Sequence, residues 1–400
     1  MIAGEMPPTS GLPPRFADLF GGAAEAFDQA VAAFVGASSA LITSSGTAAM
    51  VVAFTVLSRQ SRRRTVIIPG YTCPLVPLAA ARAGLKVVAC DTLPGSFELD
   101  LDHLAALAND DTLCVVATHY GGALTDVARV AMVMKRAAPH AVILEDAAQA
   151  FGARWHGKSV GLAGDIGIFS FSAGKGLTLF EGGAMVCRDP ALMTTLRAAA
   201  EQLLPPRPLA ELRRAAELLG YHLAYNPVGL RLVYGWPRRH WLARGDDIRA
   251  CADDVEDISL HRVGHWRQAV GARALRRLPM HLAQSREDFA EIGARLADVP
   301  GLNLHEPAPG AEPSATFRFV TFAETAQCRA CLARLWSSRL GVTKLFARAI
   351  GDYPRIAPLL MPSPTPNARD LAARTLTVST SPYLQGSDRA AVLAAIRKAD

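Results

Sequence analysis

Short apolar runs alternating with helix-like stretches constrain this chain more than any other feature. Ala40-Leu41-Ile42, Val66–Ile68, Lys86–Cys90, Leu113–Thr118 and Ala141–Leu144 read as strands, and the stretches between them carry apolar residues at helical spacing. Strands that are apolar on both sides of the pleat belong in a mostly parallel sheet with helices on both faces. Such sheets bind ligands beyond the carboxyl ends of their strands. Ser45–Thr47, Tyr71–Cys73, His119 and Asp146–Gln149 all follow strand ends and are expected to converge.

Farther along, Ile166–Gly183 (IGIFSFSAGKGLTLFEGG) begins as an apolar β-like run and sets Lys175 between Gly174 and Gly176. The chain has only six lysines, Lys86, Lys135, Lys158, Lys175, Lys344 and Lys398, and uses arginine for most of its positive charge. Small neighbours let another molecule approach the ε-amine closely. A desolvated lysine is the usual nucleophile toward an aldehyde cofactor. A solvated lysine in a turn explains this window equally well.

Thr43–Thr47 is a hydroxyl-rich turn leading into the helical AAMVVAFTVL. Free N–H groups at such a helix start can cradle an anion, although an ordinary Ser/Thr cap is the simpler reading of the turn alone. Asp146 and Gln149 are three apart and share a face if the chain turns helical there. A poorly solvated acid at a strand end is best matched by a cation such as a pyridinium nitrogen; a helix-dipole role is the equal alternative.

Four hundred residues make one large or two medium domains. Residues 1–22 are Pro/Gly-rich and expected to form an extended arm. A large domain is expected over 23–200, opening with a helix at Ala23–Gly36. Residues 201–259 form an atypical insertion rich in arginine and aromatics, whose 201–244 part reads as an amphipathic helical excursion broken at Pro227 and Pro237. It suits an oligomer-contact arm together with a cover over the site, ahead of a membrane-facing surface. From 260 to 400 a smaller α+β domain is expected, mostly helical over Ile258–Leu296 with a break at Pro279, then a half-exposed strand at Ala315–Phe322 and helices at Ala326–Leu340 and Asp388–Lys398.

A net charge of +6 without a lysine/arginine run argues against a nucleic-acid partner. Seven cysteines, several inside apolar runs, suit reduced thiols in a cytoplasmic protein better than a disulfide framework. Cys328-Arg-Ala-Cys331 has no second pair, so no metal is expected. MIAGEMPPTSGLPPRF lacks the basic-then-apolar layout of a secretion signal, and no apolar run reaches the roughly 18 residues of a membrane span.

Taken together, SSGTAAM (44–50), EDAAQAFGA (145–153), GDIGIFSFSAGKGLTLFEGGAMV (164–186) and, less closely, PNARDLAARTLTVSTSPYL (366–384) resemble the DegT/DnrJ/EryC1/StrS aminotransferases. FDQAVAAFVGASSALITSSGT (27–47) is similar to that family's first helix and turn. The resemblance implies an α/β, fold-type I transferase dependent on pyridoxal 5′-phosphate (PLP), a mostly parallel central sheet in a large domain, and a smaller C-terminal α+β domain. It implies that Lys175 bonds covalently to the cofactor's aldehyde and then shuttles protons. Asp146 would hold the pyridine nitrogen protonated, Gln149 would lie near the ring hydroxyl, and Gly46, Thr47 and Ser170 would cradle the phosphate. Relatives with histidine in place of the lysine are dehydratases, so Lys175 points to the transaminase branch.

Three departures from the family pattern stand out. The aromatic slot of its VPxxT[FWY] motif is Cys73 here, so ring stacking is weaker or comes from Tyr71. Asn226, in AYNPVG, is the one candidate for the asparagine that reaches a neighbouring subunit's phosphate. The histidine of the family's tail is missing from TVSTSP (377–382).

The expected protein is therefore a homodimeric cytoplasmic aminotransferase moving an amino group from L-glutamate onto a keto sugar or nucleotide-linked keto sugar, in polysaccharide or secondary-metabolite synthesis. The alternatives are a transaminase for a larger apolar or carrier-linked carbonyl and a non-catalytic PLP-binding regulator.

Overall fold

A computed structural model describes residues 4–21, 25–254 and 257–398. Residues 1–3 of the arm, the expected helix start at 22–24, positions 255–256 of the insertion and the two C-terminal residues lie outside the described part.

Among the described residues the central sheet has eight strands in the order Ala40–Thr43, Gly183–Cys187, Ile166–Ser170, Val142–Asp146, Thr112–Thr118, Thr65–Pro69, Lys86–Cys90 and Leu360–Met361. Only Gly183–Cys187 runs antiparallel to its neighbours. The other pairings between adjacent strands are parallel. Alternation within the strands explains why both faces are covered. Val66, Ile68, Cys114, Val116 and Leu144 enter one apolar core. Ile67, Val115, Ala117 and Ile143 enter another on the opposite side. A fully buried aliphatic side chain stabilises by roughly 1.5–3 kcal/mol, so such strands are held from both sides. Asp100, Asp126 and Asp189 cap their helices by accepting amide hydrogen bonds, which ends each crossover loop cleanly.

The smaller domain centres on an antiparallel sheet ordered Leu302–Asn303, Phe317–Phe322, Thr375–Ser379 and Val342–Thr343. Strand Phe317–Phe322 is buried along its whole length, not half-exposed. The helix Leu278–Leu296 covers it, and the absence of a side chain at Gly293 admits the Arg318 guanidinium, which donates to Phe289 O (3.0 Å) and pairs with Glu306. Three expected helices are shorter or displaced, at Phe27–Val35, Thr325–Leu335 and Gly386–Arg397. Residues 257–264 are non-helical, and the break before Leu278–Leu296 falls at Arg276-Arg277, ahead of Pro279. Proline is tolerated in a first helical turn because that N–H needs no partner there.

The N-terminal arm is extended apart from a turn of helix at Phe16–Leu19, and it threads between other parts of the fold. Glu5 N donates to Pro227 O, Met6 N to Arg339 O and Ser10 N to Thr316 O. The Glu5 carboxylate is fully buried against Arg238 (3.0 Å) and Arg239 (2.7 Å). Residues 208–250 fold as helices Pro208–Ala224, Pro227–Leu230, Trp236–Ala243 and Asp247–Ala250; a wide helical turn at Arg231–Gly235 joins the second to the third, so the expected break at Pro237 does not occur. Among the described residues, no helix is long and apolar enough to cross a membrane.

Candidate active site

Register brings the Ser45–Thr47 turn and Ser170 together. Gly183 lies between Thr43 and Ser170 in adjacent strands. A side-chain carbon on Gly183 would come 2.3 Å from the carbonyl carbon of Ser45. Glycine there lets the Ser45-Gly46 turn lie against the end of strand Ile166–Ser170. The helix Gly46–Gln60 starts at that contact, with Ser45 Oγ accepting from Ala48 N (3.0 Å) and Ser45 O from Ala49 N (3.0 Å). Among the described residues, the N–H groups of Gly46 and Thr47 have no acceptor. Ser170 adjoins them, and among the described residues its Oγ meets only the Ser172 hydroxyl (3.1 Å) and amide (3.4 Å). Free amides at the positive end of a 15-residue helix, beside a hydroxyl, suit a phosphate monoester.

Asp146 ends strand Val142–Asp146 and is buried. Among the described residues its carboxylate accepts one hydrogen bond, from Ala148 N (3.1 Å). Burial raises its pKa, and the Ala148 amide and the Lys175 charge offset this in part. An acid so placed gains from a cationic partner. Behind it, Glu145 is buried and accepts from His119 Nε2 (2.9 Å), Gly161 N (2.7 Å) and Gly164 N. Burial disfavours its charge, yet the hydrogen bonds led by His119 outweigh that and hold it below the usual carboxylate range. Thr125 N donates to His119 Nδ1 (3.2 Å), which assigns the ring proton to Nε2. The strand-end His119 thus belongs to the frame behind Asp146. After Asp146 the chain makes turns, not a helix, and Gln149 reaches the cavity wall by that route.

Lys175 sits on a loop where Gly174 adopts φ +81°, a conformation that favours glycine. The arm clamps both flanks: Thr9 Oγ1 donates to Gly174 O (2.5 Å) and Leu12 N to Gly176 O (2.9 Å). Among the described residues the Lys175 amine has no hydrogen bond or ion pair. Burial lowers its pKa, against the nearby Cys73, Asp146 and Asp253. The Cys73 thiol is pushed up to about 12, chiefly by burial, and is therefore neutral. Tyr71 is not free to stack on a ligand. Its ring is buried among Phe97 (5.7 Å) and Phe346 (5.4 Å), and its hydroxyl accepts from Phe346 N (3.2 Å). Of the two stacking candidates, that leaves Cys73 beside Lys175. Asn226 caps the Pro227–Leu230 helix by accepting from Val228 N and Gly229 N, and its amide donates to Leu223 O, so its polar atoms are engaged locally.

A cavity of about 630 Å³ adjoins Lys175 and Gln149. Tyr221, Tyr225, Leu230 and Val233 supply part of its wall, and Lys344 and Thr377 from the C-terminal part of the chain add to it. Sequence reading missed Thr9, Asp253 and these tyrosines because no local motif marks them. Among the described residues, no cluster of three or more His, Cys, Asp or Glu could hold a metal. Cys328 and Cys331 are free thiols inside the small-domain core. The donor set fits PLP: free amides at Gly46 and Thr47 beside the Ser170 hydroxyl suit a phosphate, the buried Asp146 carboxylate suits a cationic ring nitrogen, and the unpaired Lys175 amine suits an aldehyde.

The sequence pattern of the DegT/DnrJ/EryC1/StrS aminotransferase family matches residues 15–220 and 261–397. The chain is 29% identical over 274 residues to a dTDP-4-dehydro-2,3,6-trideoxy-D-glucose 4-aminotransferase of Saccharopolyspora spinosa, covering 68% of this chain and 62% of that protein. It is 36% identical over 163 residues to a 3-amino-5-hydroxybenzoate synthase of Amycolatopsis mediterranei, covering 41% of each. These alignments thus span less than two thirds of either relative. A solved aminotransferase from Streptoalloteichus hindustanus superposes with a TM-score of 0.71 at 23% identity, covering 93% of this chain and 89% of that one, and shares its fold.

Proposed function

The chain belongs to the DegT/DnrJ/EryC1/StrS aminotransferase family, and on that premise we propose that it transfers an amino group from L-glutamate to the keto carbon of a sugar or cyclitol-like substrate. The observation that carries the reading is the unpaired Lys175 amine in a cavity that also holds Gln149, with Asp146 close enough for its charge to be felt. PLP, when bound, supplies an electron sink that makes the donor's Cα–H acidic. The Gly46 and Thr47 amides and the Ser170 hydroxyl would hold the phosphate. Asp146 would keep the ring nitrogen protonated, Gln149 would serve the ring hydroxyl, and the Cys73 thiol, neutral through burial, would add no charge there.

Lys175 Nζ takes the proton from the donor's Cα and, in the second half of the cycle, delivers one to the acceptor carbon. Its lowered pKa favours the neutral amine that this role needs. Apolar walls limit water at the reacting carbon. The reading includes a homodimer, testable by sedimentation, and a cytoplasmic location, which the free cysteines among the described residues support.

The experiment is an absorption spectrum of the PLP-loaded protein before and after excess L-glutamate, for wild type and Lys175→Ala. A visible band that L-glutamate bleaches in wild type but not in the variant is the expected result. Equal bleaching in both would remove Lys175 from the role.

A further inference from the structure

We propose that the substrate carries a neutral apolar group, an alkyl or aryl body attached to its keto ring, and not a charged nucleoside diphosphate. This rests on the aminotransferase reading above and concerns what fills the cavity beyond Lys175.

Size is the first argument. The cavity of about 630 Å³ has to hold the cofactor at its Lys175 and Gln149 end as well as the substrate, and its wall continues from there to Gly220, Val233 and Lys344; sites for drug-sized ligands run to roughly 300–1,000 Å³.

Wall chemistry is the second. Away from Lys175 and Gln149 the wall includes Phe180, Tyr221, Tyr225, Leu230, Val233 and Phe317, beside three threonine hydroxyls at Thr9, Thr343 and Thr377. The Tyr221 and Tyr225 rings stack at 4.8 Å, and burial keeps both phenols neutral. Among the described residues, the wall has two ammonium groups and one carboxylate, and no arginine. Lys175 is committed to the chemistry. Lys344 Nζ donates to Ala372 O (2.7 Å), and Glu217 is paired with Arg213 (3.0 Å) and Arg214 (2.7 Å). A diphosphate calls for several charge-assisted donors, usually arginine forks, and would be desolvated here without them.

Origin and access complete the case. The family pattern does not cover 221–260, so Tyr221, Tyr225, Leu230 and Val233 belong to a stretch outside it, whereas Phe180 and Phe317 lie within it. Gly220 and Val233 both line the cavity and are exposed, which puts an opening beside them. A β-carbon on Gly220 would meet nothing within 4 Å. Four residues on, Ala224 lines the cavity from the same helix face, so small side chains border it at two successive turns.

The test uses the PLP-loaded enzyme with L-glutamate as donor and a series of ketones from 4-methyl- to 4-octylcyclohexanone, beside a dTDP-linked 4-keto hexose. In wild type, kcat/KM should rise about fourfold per added methylene, the gain from burying a CH₂, until the cavity is filled. The dTDP-linked sugar should be turned over poorly, and calorimetry should detect no binding of dTDP alone. Gly220→Phe should flatten the alkyl series, with its fold checked by circular dichroism and by the cofactor's absorption band. A flat series in wild type, or dTDP binding that blocks turnover, overturns the apolar-substrate proposal and leaves the aminotransferase reading intact. Failure of L-glutamate, L-glutamine and L-alanine alike to change the cofactor's spectrum overturns the aminotransferase reading, and this proposal with it.

Discussion

Replacing Asp253 with asparagine should change how the protein's stability depends on pH. Asp253 is only 9% exposed, and its Oδ2 accepts from Tyr353 Oη (2.6 Å) and Ala347 N (2.8 Å). Burial is the largest influence on it, outweighs those hydrogen bonds, and raises the pKa from 3.8 to about 6. With its folded pKa above its unfolded one, the group's contribution is fully present below the unfolded value. It is lost as pH rises through the folded value. Linkage makes the whole effect about 3 kcal/mol, of which about 2 kcal/mol falls between about pH 4.5 and about pH 7.5.

Asparagine keeps an acceptor oxygen for Tyr353 and Ala347 but cannot titrate. Relative to wild type, Asp253→Asn should therefore gain about 2 kcal/mol on going from the lower pH to the higher one. Urea unfolding of both proteins at the two pH values measures this, because titrations common to both cancel in the difference. A difference that is independent of pH, or that moves the other way, would refute the burial argument. The same substitution removes a negative charge that raises the Lys175 pKa. The acidic limb of the activity profile should therefore shift to lower pH.

Gly183→Ala places a carbon 2.3 Å from the Ser45 carbonyl carbon and 2.4 Å from Gly46 N, so the helix start must move. PLP affinity should fall at least about tenfold, the equivalent of one lost hydrogen bond to a charged group; unchanged affinity in a cofactor titration would remove the cradle. Glu5→Ala leaves the buried Arg238 without its carboxylate and should cost about 3 kcal/mol. Thermal unfolding and limited proteolysis of the arm should both show it, and an unaltered melting curve would mean the arm is held by other contacts.

Much of the large domain was legible in the sequence because its cause is local. A strand buried on both faces must be apolar throughout, as Cys114–Ala117 are, and its polar residues are displaced to the carboxyl end, where Thr118, Asp146 and Ser170 stand. Lys175 between glycines and Ser45 before a helix are likewise short-range signals. What surrounds them depended on contacts between distant residues, which leave no period or motif. Glu5 and Arg238 are 233 positions apart, Thr9 and Gly174 165 apart. Tyr71 reads as a free aromatic at a strand end, and only packing against Phe97 and Phe346 commits it to the core. Arg318 looks like the solvent side of an alternating strand until Gly293 makes room to bury it. The sequence by itself thus determined the sheet and the reactive groups at its edge. The tertiary structure decided what walls the cavity, because burial and close approach are properties of the folded whole and not of any segment.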